Sequence, residues 1–173
     1  MSPVEPIFVE LLFIVLAPFV ISLLLALPFT KRLLTKDVQT WGIPAVLLVS
    51  FLLLLRRLPT VQEGAVATAM LPWIAALGLG INFYLDGLSL LFGLVVSGIG
   101  TVIFFYTGFY FEDEAKQTRF NMWLTAFTGA MLGLVLSGNL ILTFIMWELT
   151  SVTSFMLIGY YGKENQEARY SAR

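Results

Sequence analysis

Long apolar runs, broken only by short charged or turn-forming stretches, are the feature that most limits the fold of this chain. Of its 173 residues, 58% are hydrophobic and only 12% are charged, whereas an average soluble domain carries roughly 25% charged residues. A helix needs about 20 mainly apolar residues to cross a bilayer, because its backbone groups must be satisfied internally there. We therefore predict an all-α integral membrane protein with one membrane domain covering residues 1–173.

Five runs are long enough to span a bilayer. The predicted spans are residues 11–29, 38–55, 87–111, 120–136 and 140–161. Asp86 fits the N-cap of the third span, and Asn139 fits the N-cap of the fifth. Gly138, just before Asn139, suits the end of the preceding helix.

The segment from about 65 to 85 is uncharged and long enough to be a sixth span, but its sequence favours a hairpin. Pro72, Gly78 and Gly80 interrupt helical continuity. Residues 81–85 alternate between apolar and polar side chains as a strand does. We predict an outer-surface hairpin or re-entrant segment between the second and third spans.

The distribution of basic residues supports five spans. With the N-terminus outside, the outer loops hold only Arg56 and Arg57. The inner loops then hold eight basic residues, namely Lys31, Arg32, Lys36, Lys116, Arg119, Lys163, Arg169 and Arg173. Eight against two follows the positive-inside bias, whereas a sixth span would give three against seven. We expect a multi-pass protein of the cell membrane with a cytoplasmic C-terminus.

Several function classes lack the residues they need. The chain has no cysteine and no histidine, which removes disulfides, thiolate and imidazole metal ligands, and Cys or His nucleophiles. It has no phosphate-binding glycine loop or nucleophile triad, and its net charge of −1 gives no basic surface for nucleic acid. We predict no metal, no cofactor and no catalytic residue, and hence a protein that is not itself an enzyme.

Small residues recur at helical spacing on two of the predicted spans. Ser89, Gly93 and Ser97 lie on one side of the third span, and Gly129 and Gly133 lie on one side of the fourth. In lipid, small residues at this spacing let helices approach closely. We interpret both faces as helix-packing surfaces; the alternative is a flexible or water-lined interface.

Glu148 is the only charged residue between Phe120 and Tyr161. A charged side chain at the bilayer centre costs about 2.5–3.5 kcal/mol even on lenient insertion scales, and such residues usually serve ion or proton movement. We predict Glu148 as the proton- or ion-translocating residue, with Thr150 and Ser151 as supporting polar groups. Ser151 shares its helical face and is expected to hydrogen-bond to it. The alternative is a permanently protonated carboxyl that joins two helices.

Several runs from residue 85 onward resemble a known family. They are residues 85–92, 131–136, 139–140, 147–151 and 157–159, and they include Leu85-Asp86-Gly87-Leu88-Ser89 and Trp147-Glu148-Leu149-Thr150-Ser151. These runs resemble the antiporter-like subunits shared by Mrp-type sodium/proton antiporters and respiratory complex I. The Thr150-Ser151 pair and residues 168–172 are most similar to the large A-type subunit of Mrp antiporters.

The resemblance implies a function that composition does not show. It implies a subunit of a multi-subunit monovalent cation (Na⁺)/proton antiporter, whose partners are other membrane subunits of an Mrp-like hetero-oligomeric complex. It also implies that Glu148 pairs with a lysine two helices further on. Because no lysine lies inside a predicted span, that lysine is expected outside this chain. Family subunits are far longer, so we expect the N-terminal fragment of a longer subunit, or a split subunit completed by another polypeptide.

Two other functions remain open at this point. One is a proton-pumping membrane subunit of a complex I-like or membrane-bound hydrogenase-like complex. The other is a structural or assembly subunit without an ion path of its own, in which Glu148 is merely hydrogen-bonded.

Overall fold

The computed structural model describes residues 6–28, 30, 33–62, 66–74 and 79–160. Within these ranges the chain is mostly helical. The helices are α1 (Pro6–Ala26), α2 (Lys36–Leu55), α3 (Leu58–Gln62), α4 (Gly87–Tyr110), α5 (Glu114–Val135) and α6 (Leu140–Ile158), and the strands are β1 (Ala67–Ile74) and β2 (Leu79–Leu85). The end of the predicted first span at residue 29, the end of the fifth at 161, and the run 168–172 lie outside the described residues.

Helix starts follow capping groups rather than the edges of apolar runs. Asp86 caps α4 with a full capping box, in which its Oδ1 accepts from the Ser89 N–H at 2.8 Å and its own N–H donates to Ser89 Oγ at 2.8 Å. Asn139 caps α6, since its Oδ1 accepts from the Leu142 N–H at 2.8 Å. Both predicted N-caps are confirmed.

The start of α5 differs from the sequence prediction. The helix begins at Glu114 rather than at Phe120, because Asp113 serves as its N-cap and its Oδ1 accepts from the Ala115 N–H at 2.8 Å. A capping side chain satisfies an orphan backbone donor wherever it stands, so a helix can begin well before the apolar run does.

Four helical stretches of the described chain are long and apolar enough to cross a membrane, and they are Ile7–Ala26, Lys36–Gln62, Gly87–Tyr110 and Leu140–Ile158. Helix α5 is not among them, because its first turns carry Glu114, Lys116 and Arg119. It is nevertheless the central helix: α1 and α6 pack along it, and α4 and α2 also contact it. Its neighbours bury Gln117, Asn121 and Thr125, whereas the charged residues at its start are exposed.

The segment between α3 and α4 contains two antiparallel strands, with Ala67 opposite Leu85 and Ile74 opposite Leu79. The register shifts between Pro72 and Ile74. The strand pattern predicted for residues 81–85 is therefore confirmed, and it adds a small sheet to an architecture that was predicted to be all-α. The turn at residues 75–78 lies outside the described residues.

Strand β2 docks on the turn that joins α5 to α6. The Tyr84 N–H donates to the Leu136 carbonyl at 2.9 Å, and the Gly138 N–H donates to the Asn82 carbonyl at 2.7 Å. A Cβ at Gly138 would lie 3.1 Å from that Asn82 oxygen, so the close approach of the two backbones favours glycine. The hairpin and the helix turn thus form one unit.

Two apolar clusters form the core. The larger joins α1, α5 and the hairpin, and its buried members are Phe8, Leu11, Ile14, Val15, Leu54, Phe83, Leu85, Leu90, Leu132, Leu136 and Leu142. The smaller lies between α1, α2 and α4 and contains Leu25, Ile43, Leu47 and Phe104. Burial of these side chains stabilises the helix contacts by dispersion, since lipid offers no hydrophobic driving force between helices.

Candidate functional site

Glu148 lies at the middle of α6, on a face that the rest of the described chain leaves uncovered. Its side chain is exposed, and its neighbours on this face are apolar: Phe144 is 62% exposed, Val152 50% and Phe155 53%. Neither a hydrogen bond nor an ion pair joins Glu148 to another residue that the structure describes. Among the described residues the carboxyl of Glu148 is therefore unpaired.

The two hydroxyls predicted to support Glu148 bind the backbone instead. Thr150 Oγ1 donates to the Trp147 carbonyl at 2.6 Å, and Ser151 Oγ donates to the same carbonyl at 3.3 Å. The expected Glu148–Ser151 hydrogen bond is therefore not formed. The physical reason is local: Ser and Thr in a helix readily bond a carbonyl three or four residues back.

The small residues of α5 lie where helices meet closely. A Cβ at Gly129 would lie 3.0 Å from the Phe19 ring on α1, and one at Gly133 would lie 2.7 Å from Met146 Sδ on α6. The two glycines therefore face two different helices.

The small residues of α4 have separate positions. A Cβ at Gly93 would lie 3.0 Å from Leu54 Cδ1 on α2. Ser97 is fully buried, and its Oγ donates to the Gly93 carbonyl at 2.6 Å. Ser89 belongs to the capping box at the start of α4 rather than to a helix contact alone.

A buried polar cluster between α2, α4 and α5 was missed by sequence reasoning. Its five members are Gln39, Thr40, Thr107, Gln117 and Asn121, none more than 6% exposed. Part of the cluster can be recognised from the sequence, since Gln117 and Asn121 are four residues apart and so share one face of α5. They escaped notice because Gln117 precedes the predicted span and no charge marks the group. We call these residues the amide cluster.

Hydrogen bonds connect most of the amide cluster. Asn121 Nδ2 donates to Gln39 Oε1 at 3.2 Å, and Thr107 Oγ1 donates to Asn121 Oδ1 at 3.0 Å. Gln117 Nε2 donates to Thr40 Oγ1 at 3.4 Å, which is long for a hydrogen bond. The cluster therefore ties three helices together through neutral groups.

An open cleft of about 660 Å³ lies beside the amide cluster, between the end of α1 and the first turns of α5. Leu34 and Thr118 line it, and Asp113, Glu114 and Arg119 form a charged part of its lining. The described residues hold no group of three or more carboxylates, cysteines or histidines that could bind a metal.

An ion pair that was not predicted lies at the opposite end of the bundle. Arg57 pairs with Glu10, with Arg57 Nε at 3.0 Å from Glu10 Oε2. The pair joins the start of α1 to the turn after α2, and so fixes these two ends of the helices to each other.

Comparison with known proteins defines first the class of protein. A family model described as the N-terminus of chain 5 of NADH-ubiquinone oxidoreductase (complex I) matches residues 72–121. The Mrp complex from Dietzia sp. DQ12-45-1b superposes with a TM-score of 0.68 at 28% identity, over 87% of this chain and 15% of that one. An archaeal membrane-bound sulfane sulfur reductase shares the fold alone, with a TM-score of 0.66 at 20% identity over 86% of this chain and 23% of that one. The chain therefore shares its fold with chains of these two complexes.

Sequence relatives show which type of subunit the chain resembles. The chain is 37% identical over 147 residues to the A subunit of the Na⁺/H⁺ antiporter of Alkalihalophilus pseudofirmus, covering 84% of this chain and 18% of the relative. It is 35% identical over 159 residues to the A1 subunit of the Na⁺/H⁺ antiporter of Staphylococcus haemolyticus, covering 92% and 19%. The A/B subunit of a probable K⁺/H⁺ antiporter of Rhizobium meliloti is 37% identical over 160 residues, covering 88% and 16%. The resemblance to the A-type subunit of Mrp antiporters is confirmed, and the chain spans about a fifth of the length of these relatives.

Proposed function

We propose that this chain is part of the A-type subunit of a multi-subunit monovalent cation/proton antiporter, with Na⁺ as the transported cation. The observation that carries the proposal is the identity of 37%, over 84% of the chain, to the A subunit of an Na⁺/H⁺ antiporter. The likeness to a solved Mrp complex over 87% of the chain supports partners that are other membrane subunits.

The membrane arrangement we propose has five spans, α1, α2, α4, α5 and α6, with the N-terminus outside. Helix α5 is included although its composition is too polar by itself. Its length of 22 residues matches a span, and its neighbours bury Gln117, Asn121 and Thr125. In this arrangement the hairpin lies on the outer side, and the charged α4–α5 turn lies on the inner side.

Glu148 is the residue that we propose handles the proton or cation. An uncovered carboxyl amid apolar side chains at mid-helix is costly in lipid, so this face of α6 requires cover from another helix. A lysine on that helix, outside this chain, would stabilise the ionised carboxyl of Glu148. A change in the protonation of that lysine would then change the strength of the pair. Such a switchable pair can couple proton movement to cation movement.

The test is antiport by the complete complex in everted membrane vesicles, with Glu148→Gln as the variant. We expect cation-dependent proton exchange to fall to the background of a host without the antiporter, because glutamine cannot carry the charge or the proton. Glu112→Gln is the matched control, since Glu112 is exposed in the α4–α5 turn, and it should retain exchange. Normal antiport by a normally assembled Glu148→Gln complex would reject this role for Glu148.

The identity of the transported cation needs a direct experiment, because two relatives of equal sequence identity to this chain are named for Na⁺ and for K⁺. We expect exchange in the same vesicles to require Na⁺ rather than K⁺. Exchange supported equally by K⁺ would replace Na⁺ in the proposal without affecting the assignment to the A-type subunit.

The match of residues 72–121 to a complex I family model favours one second candidate, a proton-pumping subunit of a redox-driven complex. Co-purification distinguishes the two. Small membrane subunits alone support the antiporter, and iron–sulfur subunits in the complex support the redox machine. The remaining alternative, an assembly subunit without an ion path, predicts instead that Glu148→Gln leaves exchange intact.

A further inference from the structure

Gln117 is a buried amide whose hydrogen bonds the described residues do not satisfy. Its side chain is fully buried, yet its Oε1 has no hydrogen-bond partner and its Nε2 makes only the 3.4 Å bond to Thr40 Oγ1. An unsatisfied buried polar group costs about 1–3 kcal/mol, and native proteins leave few of them. A carboxamide can make up to four hydrogen bonds, so this one is far from satisfied.

Two donors near Gln117 bond elsewhere. Thr40 Oγ1 donates to the Lys36 carbonyl at 2.7 Å. Gln39 Nε2 donates to both the Leu34 carbonyl and Thr118 Oγ1 at 2.8 Å. Asn121 Nδ2 has a second N–H beyond its bond to Gln39 Oε1, but no donor of the described residues bonds to Gln117 Oε1. The missing donor therefore comes from outside these residues, and water is the smallest group that can supply it.

The cleft of about 660 Å³ approaches the amide cluster on the side of Gln39. The Leu34 carbonyl and Thr118 Oγ1 accept from Gln39 Nε2, and both residues line the cleft. The cluster members themselves are buried and do not line it.

We propose that the amide cluster is an internal water-binding site, in which Gln117 Oε1 accepts a hydrogen bond from the bound water. Water fits because it can donate to Gln117 and still accept a bond in return, and buried waters usually make about three such bonds. A cation fits less well, since the cluster contains no carboxylate. The site concerns this chain's own packing and does not rest on the antiporter function.

The direct test is an experimental map of the complete complex at a resolution that resolves water. We expect a peak about 2.8 Å from Gln117 Oε1, the usual O–H···O distance, present whether the buffer contains Na⁺ or choline. Absence of a peak would overturn the proposal. A peak that requires Na⁺ would also overturn it, because a cation would then be the ligand.

Discussion

At the residue scale, the sequence identifies Glu148 as a candidate functional residue but does not identify what surrounds it. Its position in an uncharged run singles it out from the sequence, but its partner and its exposure are tertiary properties. Thr150 and Ser151 make the same point, since both are close to Glu148 along the helix and both bond to the Trp147 carbonyl. Local spacing alone did not decide which acceptor they use.

Asp86 gives the clearest prediction for pH. The Ser89 N–H hydrogen bond, followed by the bond from the Ser89 hydroxyl, holds the pKa of Asp86 below its usual value. A lowered folded-state pKa means that the charged cap stabilises the fold above the unfolded value of about 3.9, and that this contribution is lost as pH falls through the folded pKa. Asp86→Ala should therefore cost about 1 kcal/mol at pH 7 and less near pH 3.

Thermal unfolding of the purified complex at both pH values measures this difference. Asp86→Asn is the matched control, because asparagine caps a helix about as well as aspartate but does not titrate. We expect its stability to vary less with pH than that of the unmodified protein. An unchanged effect of Asp86→Ala between pH 7 and pH 3 would show that charge plays no part in the cap.

At the scale of elements, close helix contacts depend on residues without side chains. Gly133→Leu would force a side chain into Met146 on α6, where even a Cβ would lie 2.7 Å from its sulfur. Overpacking of this kind costs about 1–3 kcal/mol. We expect less assembled complex and a lower melting temperature, measured by size-exclusion chromatography and thermal unfolding.

Gly42→Leu provides the control for this contact. A Cβ at Gly42 would meet only Val38 of its own helix, at 3.9 Å, so the larger side chain has open space. It should assemble as the unmodified chain does. Equal loss from both substitutions would mean that helix propensity or expression, rather than the α5–α6 contact, is responsible.

The hairpin provides a second prediction at this scale. Asn139 caps α6 through its Oδ1 and donates its Nδ2 to the Gly80 carbonyl at 2.8 Å. Asn139→Asp keeps the cap but loses the donor, so hydrogen exchange should increase in β2 and stay unchanged at the start of α6. Asn139→Ala should increase exchange in both places. If β2 is equally protected in Asn139→Asp, the Asn139–Gly80 bond does not hold the hairpin.

At the scale of the whole molecule, we expect the outward face of α6 to contact another helix of the complex, because Glu148 lies there among exposed apolar side chains. The chain has no cysteine, so single cysteines can be introduced without background from this chain. Val152→Cys lies on the exposed face and should cross-link to a neighbouring helix in the assembled complex. Thr153→Cys, at a position only 4% exposed, should not. Loss of cross-linking at Val152 in a fully assembled complex would mean that lipid, not protein, covers this face.

How much could be predicted differs between the fold and the site. The helices, the N-caps Asp86 and Asn139, and the strand pattern of residues 81–85 follow from local rules, namely apolar length, capping chemistry and alternation. Helix α5 begins six residues before the predicted span, because its N-cap is Asp113 whereas the apolar run begins at Phe120. The amide cluster was missed because its members come from three helices far apart in the sequence.

The sequence by itself determined the membrane character of the chain, its helices and its relationship to the A-type subunit of Mrp antiporters, because these depend on composition, on neighbouring residues and on motifs. Only the tertiary structure decided that α5 lies at the centre and that Gln39, Gln117 and Asn121 share one buried cluster. It also decided that the described helices leave Glu148 exposed. The physical reason is that burial and pairing are properties of contacts between distant segments. No local pattern records which face of a helix its neighbours will cover.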